Sequence, residues 1–276
     1  MRPVLFTLLL LLTCEAGARP RTPPTGASAV KPASRDCCAV LELRQYTLRP
    51  GQRDVLIDLF EREFIESQEA EGAHLVGQFR DSARSERFVW VRGFPDMVSR
   101  EQTLKRFYGG PVWKAHREAA NATMLDSSNV LLLRPVTGSR GFPPPSAQRP
   151  DKGNTSTPDS VVLVTMFHRD APLDAGLLRF VEQQLVPVLR ETGGAPLALF
   201  QTEYAPNTFP ALPVREGEHV LVAFTVFASR EQYQAHVERL AGSRRWTDTV
   251  RPALLQYLKA APESLLLEPT PRSLLR

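Results

Sequence analysis

Histidine, cysteine and the sequence motifs of common cofactor sites are scarce or missing in this chain. Its 276 residues include five histidines and three cysteines. No two histidines stand four residues apart with a glutamate between them, so the helix of zinc proteases is not predicted. The sequence has no G-x-G-x-x-G, P-loop or G-x-S-x-G motif. These absences argue against a metal site and against dinucleotide, nucleotide and α/β-hydrolase chemistry.

The charge of the chain is small and evenly spread. The net charge is +4, with 42% hydrophobic and 23% charged residues. This is the composition of an ordinary globular protein with a packed core. No basic stripe with interleaved aromatic residues is present, so we expect no nucleic-acid partner. No apolar run is long enough to predict a transmembrane helix.

The first 18 residues have the pattern of a signal peptide. Arg2 precedes an apolar run of about ten residues, 4–13, which is too short to span a bilayer. The small residues 16–18 then match a signal-peptidase site. We therefore expect a secreted or periplasmic protein. An alternative is a lipoprotein anchored through Cys14, because residues 11–14 resemble a lipoprotein box.

Cys37 and Cys38 are adjacent and are the two cysteines left once a signal peptide is removed. Export would permit their oxidation. They could close a ring, bridge two chains or stay as thiols, and we expect a structural pair.

Two stretches without an apolar period divide the chain. Residues 19–36 are rich in Pro, Arg, Ala, Thr and Ser, and predict a disordered leader. Residues 137–158 contain three consecutive prolines, and proline interrupts both helices and central strands. This stretch is predicted to be a linker. The predicted domains are therefore 37–136 and 159–270.

Both predicted domains show the same order of elements. In the first, alternation predicts strands and a 3.6-residue apolar period predicts helices. The order is strand 40–48, helix 54–69, strands 74–80 and 87–94, helix 99–124 broken near residue 110, and strand 130–134. In the second, it is strand 161–167, helix 175–189, strands 197–203 and 220–227, helix 230–259 and strand 264–268. This βαββαβ order predicts two tandem ferredoxin-like domains of the α+β class.

Short matches between the two domains suggest an internal duplication. The tetrapeptide Ser-Arg-Glu-Gln occurs at 99–102 and at 229–232, an offset of 229 − 99 = 130. In both copies the serine is predicted to cap a helix, with the glutamine completing a capping box. Trp113 and Trp246 are offset by 246 − 113 = 133, and the closing Leu-Leu-Leu runs by 265 − 131 = 134.

The first domain resembles the NIPSNAP family. The sequence Glu42-Leu43-Arg44-Gln45-Tyr46 followed by Pro50-Gly51 is similar to the opening of a NIPSNAP domain, and Trp113 in the broken helix fits as well. The similarity covers about residues 39–136, and the second domain departs from it at 167–170. The resemblance implies the dimeric α/β-barrel superfamily, in which two βαββαβ units pair their antiparallel sheets. It implies little about activity, because most members have no defined reaction. Pairing could occur within the chain, as a pseudo-dimer, or between chains in a homodimer.

The two faces of the first predicted sheet differ in chemistry. Aliphatic residues on one face are expected beneath the helices, namely Leu41, Leu43, Val89 and Val91. Charged and aromatic residues are expected on the face toward the partner sheet, namely Glu42, Arg44, Tyr46, Phe88, Trp90 and Arg92. This second face is either an interface, with Glu42 paired to Arg44, or a pocket. In a pocket, Arg44 or Arg92 would hold an anionic group and Trp90 would stack on a flat ligand.

His116, close to Trp113, is the histidine that best fits a ligand site. Some heme-degrading members of the superfamily use a strand tryptophan and a helix histidine, and Trp90 with His116 is similar to that pair. No cofactor is predicted otherwise. Two functions remain open: a non-catalytic binding protein, for which a small anionic or aromatic ligand is one partner, and a monooxygenase-like or heme-handling enzyme.

Overall fold

The computed structural model describes residues 38–136, 141–144 and 148–276. The predicted signal peptide and leader, Cys14 and Cys37 lie outside these residues. Nine strands are described: β1 Val40–Leu48, β2 His74–Asp81, β3 Arg87–Phe94, β4 Met124–Asp126, β5 Val130–Pro135, β6 Val161–Arg169, β7 Ala198–Thr202, β8 His219–Phe227 and β9 Glu263–Pro269. All the predicted strands are present, and β4 was not predicted because three residues are too few to show alternation.

The helices of the first half follow the predicted apolar periods. They are α1 Arg53–Leu59, a π-helical segment Phe60–Phe64, α2 Ile65–Ala70, α3 Met97–Gly109 and α4 Pro111–Thr123. The predicted break near residue 110 is confirmed, because α4 begins with a proline, which suits the first helical position. The first helix ends before Gly72, whose φ of +104° favours glycine.

The first helical stretch of the second half confirms the prediction for 175–189, and the last one is shorter than predicted. The helices of this half are α5 Ala175–Phe180, a π-helical segment Val181–Leu185, α6 Val186–Glu191, α7 Arg230–Gly242, a π-helical segment Arg245–Val250 and α8 Arg251–Leu255. The prediction of one helix over 230–259 is wrong, since α7 ends at Gly242. Glycine is a weak helix former, and Ser243 adopts an extended conformation.

Eight of the strands close into an antiparallel barrel. Their order is β3-β2-β9-β6-β8-β7-β5-β1, and β1 pairs with β3 to complete the ring. The first half contributes β5-β1-β3-β2 and the second contributes β9-β6-β8-β7. The halves are joined at two seams, β2 with β9 and β5 with β7. The short strand β4 pairs antiparallel with the last two residues of β1.

The barrel interior is filled by aliphatic residues from both halves. Leu41, Leu43, Val89 and Val91 pack there with strand residues of the second half. The prediction that these four lie under the helices is therefore wrong, and the face that holds Arg44 lies under the helices instead. Alternation identifies which residues share a face of a strand, but it does not identify which layer covers that face. Branched aliphatic side chains suit the narrow interior of an eight-stranded barrel.

The two Ser-Arg-Glu-Gln copies occupy different positions in the fold. Ser229 caps α7 and accepts a hydrogen bond from Gln232 N, as predicted. Ser99 does not cap α3, because Asp96 is the N-cap residue and accepts from Ser99 N at 2.6 Å. An aspartate three residues upstream provides the same cap. The two N-caps are offset by 229 − 96 = 133, which is also the offset of the two tryptophans. The tetrapeptides are offset by 130, so they differ by three residues when the two N-caps are aligned.

The described part of the predicted linker contains no helix or strand. It nevertheless contributes to the core, because the Phe142 ring packs in the barrel against Phe200 and Phe224, with ring centroids 5.0 Å from each. Arg149 donates to Glu69 at 2.7 Å and to the carbonyl of Leu75. Among the described residues, no helix is long and apolar enough to cross a membrane.

Candidate ligand-binding site

The register of β1 and β3 gathers polar and aromatic side chains beneath the helices of the first half. Directly opposite pairs are Glu42 with Arg92, Arg44 with Trp90, and Tyr46 with Phe88. Opposite residues of an antiparallel pair point to the same face. Tyr46, Phe88 and Trp90 accordingly pack with the apolar residues of α1 to α4.

Glu42 lies at the centre of a fully buried ion cluster. Its Oε2 accepts from Arg92 Nε at 2.7 Å and from Arg44 Nη1 at 2.8 Å. Its Oε1 accepts from Arg100 Nε at 2.6 Å. All four side chains have no exposed surface. The predicted pairing of Glu42 with Arg44 is present, but two further arginines share the same carboxylate.

Neutral groups accept most of the other hydrogen bonds from these arginines. Arg44 Nε donates to the Tyr46 hydroxyl at 2.9 Å, and Arg92 Nη1 donates to Gln68 Oε1 at 2.7 Å. In the described part of the chain, the Nη2 atoms of all three arginines are buried without a hydrogen-bond partner, as is Trp90 Nε1. The cluster therefore has unused donors.

Trp90 contacts two of the buried cations through its ring. The guanidinium carbons of Arg44 and Arg92 lie 5.3 and 5.0 Å from its centroid. Such cation–π contacts stabilise a desolvated guanidinium by about 2 kcal/mol. They lower the energy of the arginines but supply no negative charge.

The ionisation states in this cluster follow from burial and from neighbouring charges. Burial alone would raise the pKa of Glu42, but Arg92, Arg44 and Arg100 together hold its pKa well below the usual range. Burial raises the pKa of Tyr46, although Arg44 and Arg92 oppose this. Burial alone would lower the pKa of Arg44, but Tyr46 and Glu42 raise it. At neutral pH the carboxylate and Arg44 are charged and the phenol is neutral.

A cavity of about 30 Å³ adjoins the cluster between the sheet and the helices. Its lining is largely aromatic and includes Tyr46, Phe60, Phe64, Trp90, Tyr108 and Trp113. The π-helical segment begins with Phe60 and ends with Phe64, so this irregular turn supplies two of the walls. Such segments are often found at functional sites. The predicted residues Tyr46, Trp90 and Trp113 are thus brought together at the cavity, and Arg44 and Arg92 contact the Trp90 ring.

His116 is placed at the edge of this site. Its Nε2 lies 3.8 Å from a carboxylate oxygen of Glu63, and about a third of its side chain is exposed. Its ring contacts Phe64 at a centroid distance of 6.3 Å. His116 is not among the residues described as lining the cavity. A cavity of this volume does not accommodate a heme, because pockets for ligands of that size measure about 300–1,000 Å³.

Arg100 is a site residue that sequence reasoning missed. It belongs to the first Ser-Arg-Glu-Gln copy, in which only the serine and glutamine were assigned a role. Its position four residues after the N-cap Asp96 turns it toward Glu42. A buried arginine near the start of an otherwise polar helix gives no sequence signal, because arginine is a common surface residue there.

A loop from the second half covers the cluster. Arg100 Nη1 donates to Asn207 Oδ1 at 3.0 Å and to Thr208 Oγ1 at 3.3 Å. The ring of Phe209 stacks on Tyr108 with centroids 5.8 Å apart. The loop between β7 and β8, residues 203–218, is hereafter called the covering loop. The site thus includes residues from both halves.

The matching strand pair of the second half has no charged cluster. Its barrel-facing residues Val162 and Val164 correspond to Leu41 and Leu43. The positions matching the three site pairs of β1 and β3 hold Leu163 with Thr225, Thr165 with Ala223, and Phe167 with Leu221. The described part of the chain therefore has one such site.

Two of the other histidines, His168 and His236, contact protein groups. His168 lies between the carboxylates of Glu218 and Glu263, 3.5 and 3.8 Å away. His236 is buried, with Nδ1 3.2 Å from the Thr192 carbonyl, and burial lowers its pKa. No group of three or more metal-ligating side chains occurs among the described residues.

The first half of the chain matches a known family by sequence, and the whole barrel is similar in fold to solved structures. The NIPSNAP family model matches residues 41–140. No functionally curated protein matches the chain.

Three solved structures illustrate the similarity. A candidate monooxygenase from Fusobacterium nucleatum subsp. nucleatum has a TM-score of 0.54 and 9% identity, covering 84% of this chain and 92% of that one. A candidate monooxygenase from Lactobacillus acidophilus has a TM-score of 0.50 and 16% identity, covering 83% and 92%. A NIPSNAP domain protein from Burkholderia xenovorans has a TM-score of 0.33 and 19% identity, covering 36% and 96%. At these identities the first two similarities concern the fold alone. Residues 41–140 of this chain therefore match the NIPSNAP family model, and the chain as a whole shares the fold of the two candidate monooxygenases.

Proposed function

We propose that this chain binds a small anionic ligand with an aromatic or apolar part in the cavity beneath the helices of its first half. One observation carries the proposal. Two fully buried arginines, Arg44 and Arg92, contact the ring of Trp90, and this ring is also a wall of an aromatic cavity. Arginine forks bind carboxylate and phosphate oxygens, and an indole ring packs against flat or apolar groups.

The ionisable groups of the site favour binding over acid–base catalysis. Glu42 is held ionised by three arginines, so it is a poor proton acceptor near neutral pH. Tyr46 has a raised pKa and donates no proton readily. A general acid or base needs a pKa near the working pH. These groups instead form a fixed electrostatic surface for a ligand.

The size of the cavity indicates how a ligand would be held. About 30 Å³ of space suffices for about two water molecules, or for the head group of a ligand, and not for a drug-sized molecule. The covering loop lies over Arg100 and Tyr108. Entry of a larger ligand therefore requires this loop or the aromatic walls to move.

Calorimetric titration with benzoate tests the proposal, with the neutral and similarly shaped benzamide as the control. Benzoate is expected to bind at least about tenfold more tightly, the effect of about 1.4 kcal/mol from one charge-assisted hydrogen bond. Equal affinity of the two compounds, or no binding of either, would contradict the proposal.

A monooxygenase-like or heme-handling enzyme is the second candidate. The fold similarity to two candidate monooxygenases and the position of His116 beside Trp113 favour it. Titration with hemin tests it. A saturable Soret shift that His116→Ala abolishes and His219→Ala preserves would support this function, and an unchanged spectrum would exclude heme binding.

The two halves are proposed to derive from one duplicated ferredoxin-like unit and to pair within the chain. Their strand orders are alike. The π-helical segments that begin at Phe60 and Val181 are offset by 181 − 60 = 121, the offset of the barrel residues Leu41 and Val162. Native mass spectrometry tests the pairing, since a monomer is expected and a dimer of chains would favour pairing between chains.

Export from the cytoplasm is the proposed localisation. The support is the sequence of residues 1–18. Intact-mass analysis of the protein from its native host distinguishes cleavage after Ala18 from lipidation at Cys14. A full-length mass would contradict export.

A further inference from the structure

The buried cluster carries more positive than negative charge. Arg44, Arg92 and Arg100 each pair with Glu42, and among the described residues no other acidic side chain pairs with them. Three positive charges and one negative charge leave +2. Arginine does not lose its proton in proteins, so the imbalance cannot be relieved by deprotonation.

Neutral contacts do not offset this charge. Tyr46, Gln68, Asn207 and Thr208 accept hydrogen bonds, and Trp90 offers its ring, but none of them is charged. Placing an uncompensated ion in a protein interior costs several kcal/mol even after relaxation. Buried charges in native proteins are accordingly paired.

The unused donors lie on the same three guanidinium groups. Each arginine has an Nη2 that is buried and has no hydrogen-bond partner within the described residues. All three guanidinium groups contact the carboxylate of Glu42, so the unused donors belong to one cluster. An anion with several oxygens can accept from more than one guanidinium at once.

We infer that the ligand of this site is a dianion, of the phosphate-monoester or dicarboxylate class, and that one binds per chain. The inference rests on the proposed function and extends it by specifying the ligand charge. A dianion neutralises the +2 cluster, whereas a monoanion leaves one buried charge uncompensated. One ligand per chain is expected because the second half lacks the charged residues. The positions that match Glu42, Arg44 and Arg92 hold Leu163, Thr165 and Thr225.

Arg100 is the residue that sets the preference for two charges. It differs from Arg44 and Arg92 in reaching the site from helix α3 and in being held by Asn207 and Thr208 of the covering loop. Without it the cluster carries +1 and matches a monoanion. The second half therefore determines ligand charge in the first half by positioning Arg100.

Two ligands of similar shape and different charge test the inference. Phenyl phosphate is a dianion above a pH of about 6, and benzenesulfonate is a monoanion at every pH of interest. Calorimetry at about pH 7.5 is expected to show that phenyl phosphate binds about 10- to 100-fold more tightly than benzenesulfonate. Native mass spectrometry is expected to show one bound phenyl phosphate per chain. Succinate, a dianion, and its monomethyl ester, a monoanion, form a second pair. If phenyl phosphate binds more tightly than succinate, the ligand belongs to the phosphate-monoester class. If succinate binds more tightly, the ligand belongs to the dicarboxylate class.

Arg100→Gln and Arg230→Gln provide matched variants from the two Ser-Arg-Glu-Gln copies. Arg230 has 42% of its side chain exposed and pairs with Glu268, away from the cluster. The affinity ratio of phenyl phosphate to benzenesulfonate is expected to fall toward one in Arg100→Gln and to stay unchanged in Arg230→Gln.

The outcomes separate the two proposals. Equal affinity of both compounds for the wild-type protein would overturn the dianion inference while leaving anion binding intact. Binding of no anion at all, benzoate included, would overturn the proposed function as well. The wild-type comparison decides the matter even if Arg100→Gln fails to fold.

Discussion

Glu42 and Arg92 lie directly opposite each other on neighbouring antiparallel strands, and their side chains meet at 2.7 Å with no exposed surface. This pair anchors a cluster in which one carboxylate binds three arginines. Because the ions are completely desolvated, each depends on the others far more than exposed charges do. Stability and pH response are therefore coupled at this site, and the proposed ligand binding would be coupled to both.

Glu42→Gln is expected to destabilise the protein strongly. The change removes the one carboxylate of the cluster and leaves three buried arginines without a counter-charge. Loss of one partner from a buried ion pair costs about 3–5 kcal/mol. Denaturant unfolding measures the loss. Glu101→Gln is the control, because Glu101 forms an exposed i, i+4 pair with Lys105 and should contribute about 0.5 kcal/mol or less. Equal effects of the two substitutions would contradict a central role for Glu42.

The stabilisation by Glu42 is expected to decrease in acid. Its pKa in the folded protein is held far below the value of about 4.3 expected in the unfolded chain. A group with a depressed folded pKa stabilises the protein above its unfolded pKa, and this contribution falls as pH decreases toward the folded pKa. The difference in unfolding free energy between wild type and Glu42→Gln should therefore shrink below a pH of about 4. A difference that stays constant from pH 7 to pH 3 would contradict this assignment.

Much of the fold was predictable from the sequence, and the reason lies in local patterns. Strands Val40–Leu48 and Arg87–Phe94 were predicted with the bounds that the structure has, because their alternation is long and regular. The break between α3 and α4 was predictable from Gly110 and Pro111. These signals depend on neighbouring residues alone.

The features that require tertiary information were not predictable. The charged face of β1 was assigned to the partner sheet, although it lies under the helices. Alternation shows which residues share a face of the strand, but not which layer covers that face. The role of Arg100 depends on Asn207, which is 107 residues away along the chain. The identical tetrapeptides suggested equivalence, but the fold aligns Ser229 with Asp96, because any N-capping residue can serve at that position.

Trp90 is expected to report ligand binding through its fluorescence. Arg44 and Arg92 contact its ring, and an anion that attracts these guanidinium groups changes the electrostatic environment of the indole. Addition of phenyl phosphate should change the emission of the wild-type protein, and Trp90→Phe should lose most of that change. Trp246→Phe is the control, since Trp246 packs in the helical layer of the second half. An equal loss of signal in both variants would place the ligand elsewhere.

Asn207 is expected to hold the covering loop closed. Its Oδ1 accepts from Arg100 Nη1 at 3.0 Å and from Phe209 N at 3.1 Å, and its Nδ2 donates to the Leu212 carbonyl at 2.9 Å. Asn207→Ala removes all three hydrogen bonds, of which only the one with Arg100 joins the loop to the first half, and a single hydrogen bond has a net contribution of about 1 kcal/mol. Local opening of the loop should therefore become more frequent, and amide hydrogen exchange reports such opening.

Exchange over residues 203–218 is expected to accelerate by about 5- to 30-fold in Asn207→Ala, the effect of about 1–2 kcal/mol. Asn154→Ala is the matched control, because the Asn154 side chain contacts the Pro271 carbonyl and not the covering loop. Phenyl phosphate should slow exchange of the loop in the wild-type protein, since a bound anion holds Arg100 and, through it, Asn207. Unchanged exchange in Asn207→Ala would show that stacking of Phe209 on Tyr108 suffices to keep the loop closed, and ligand entry would then depend on those two rings.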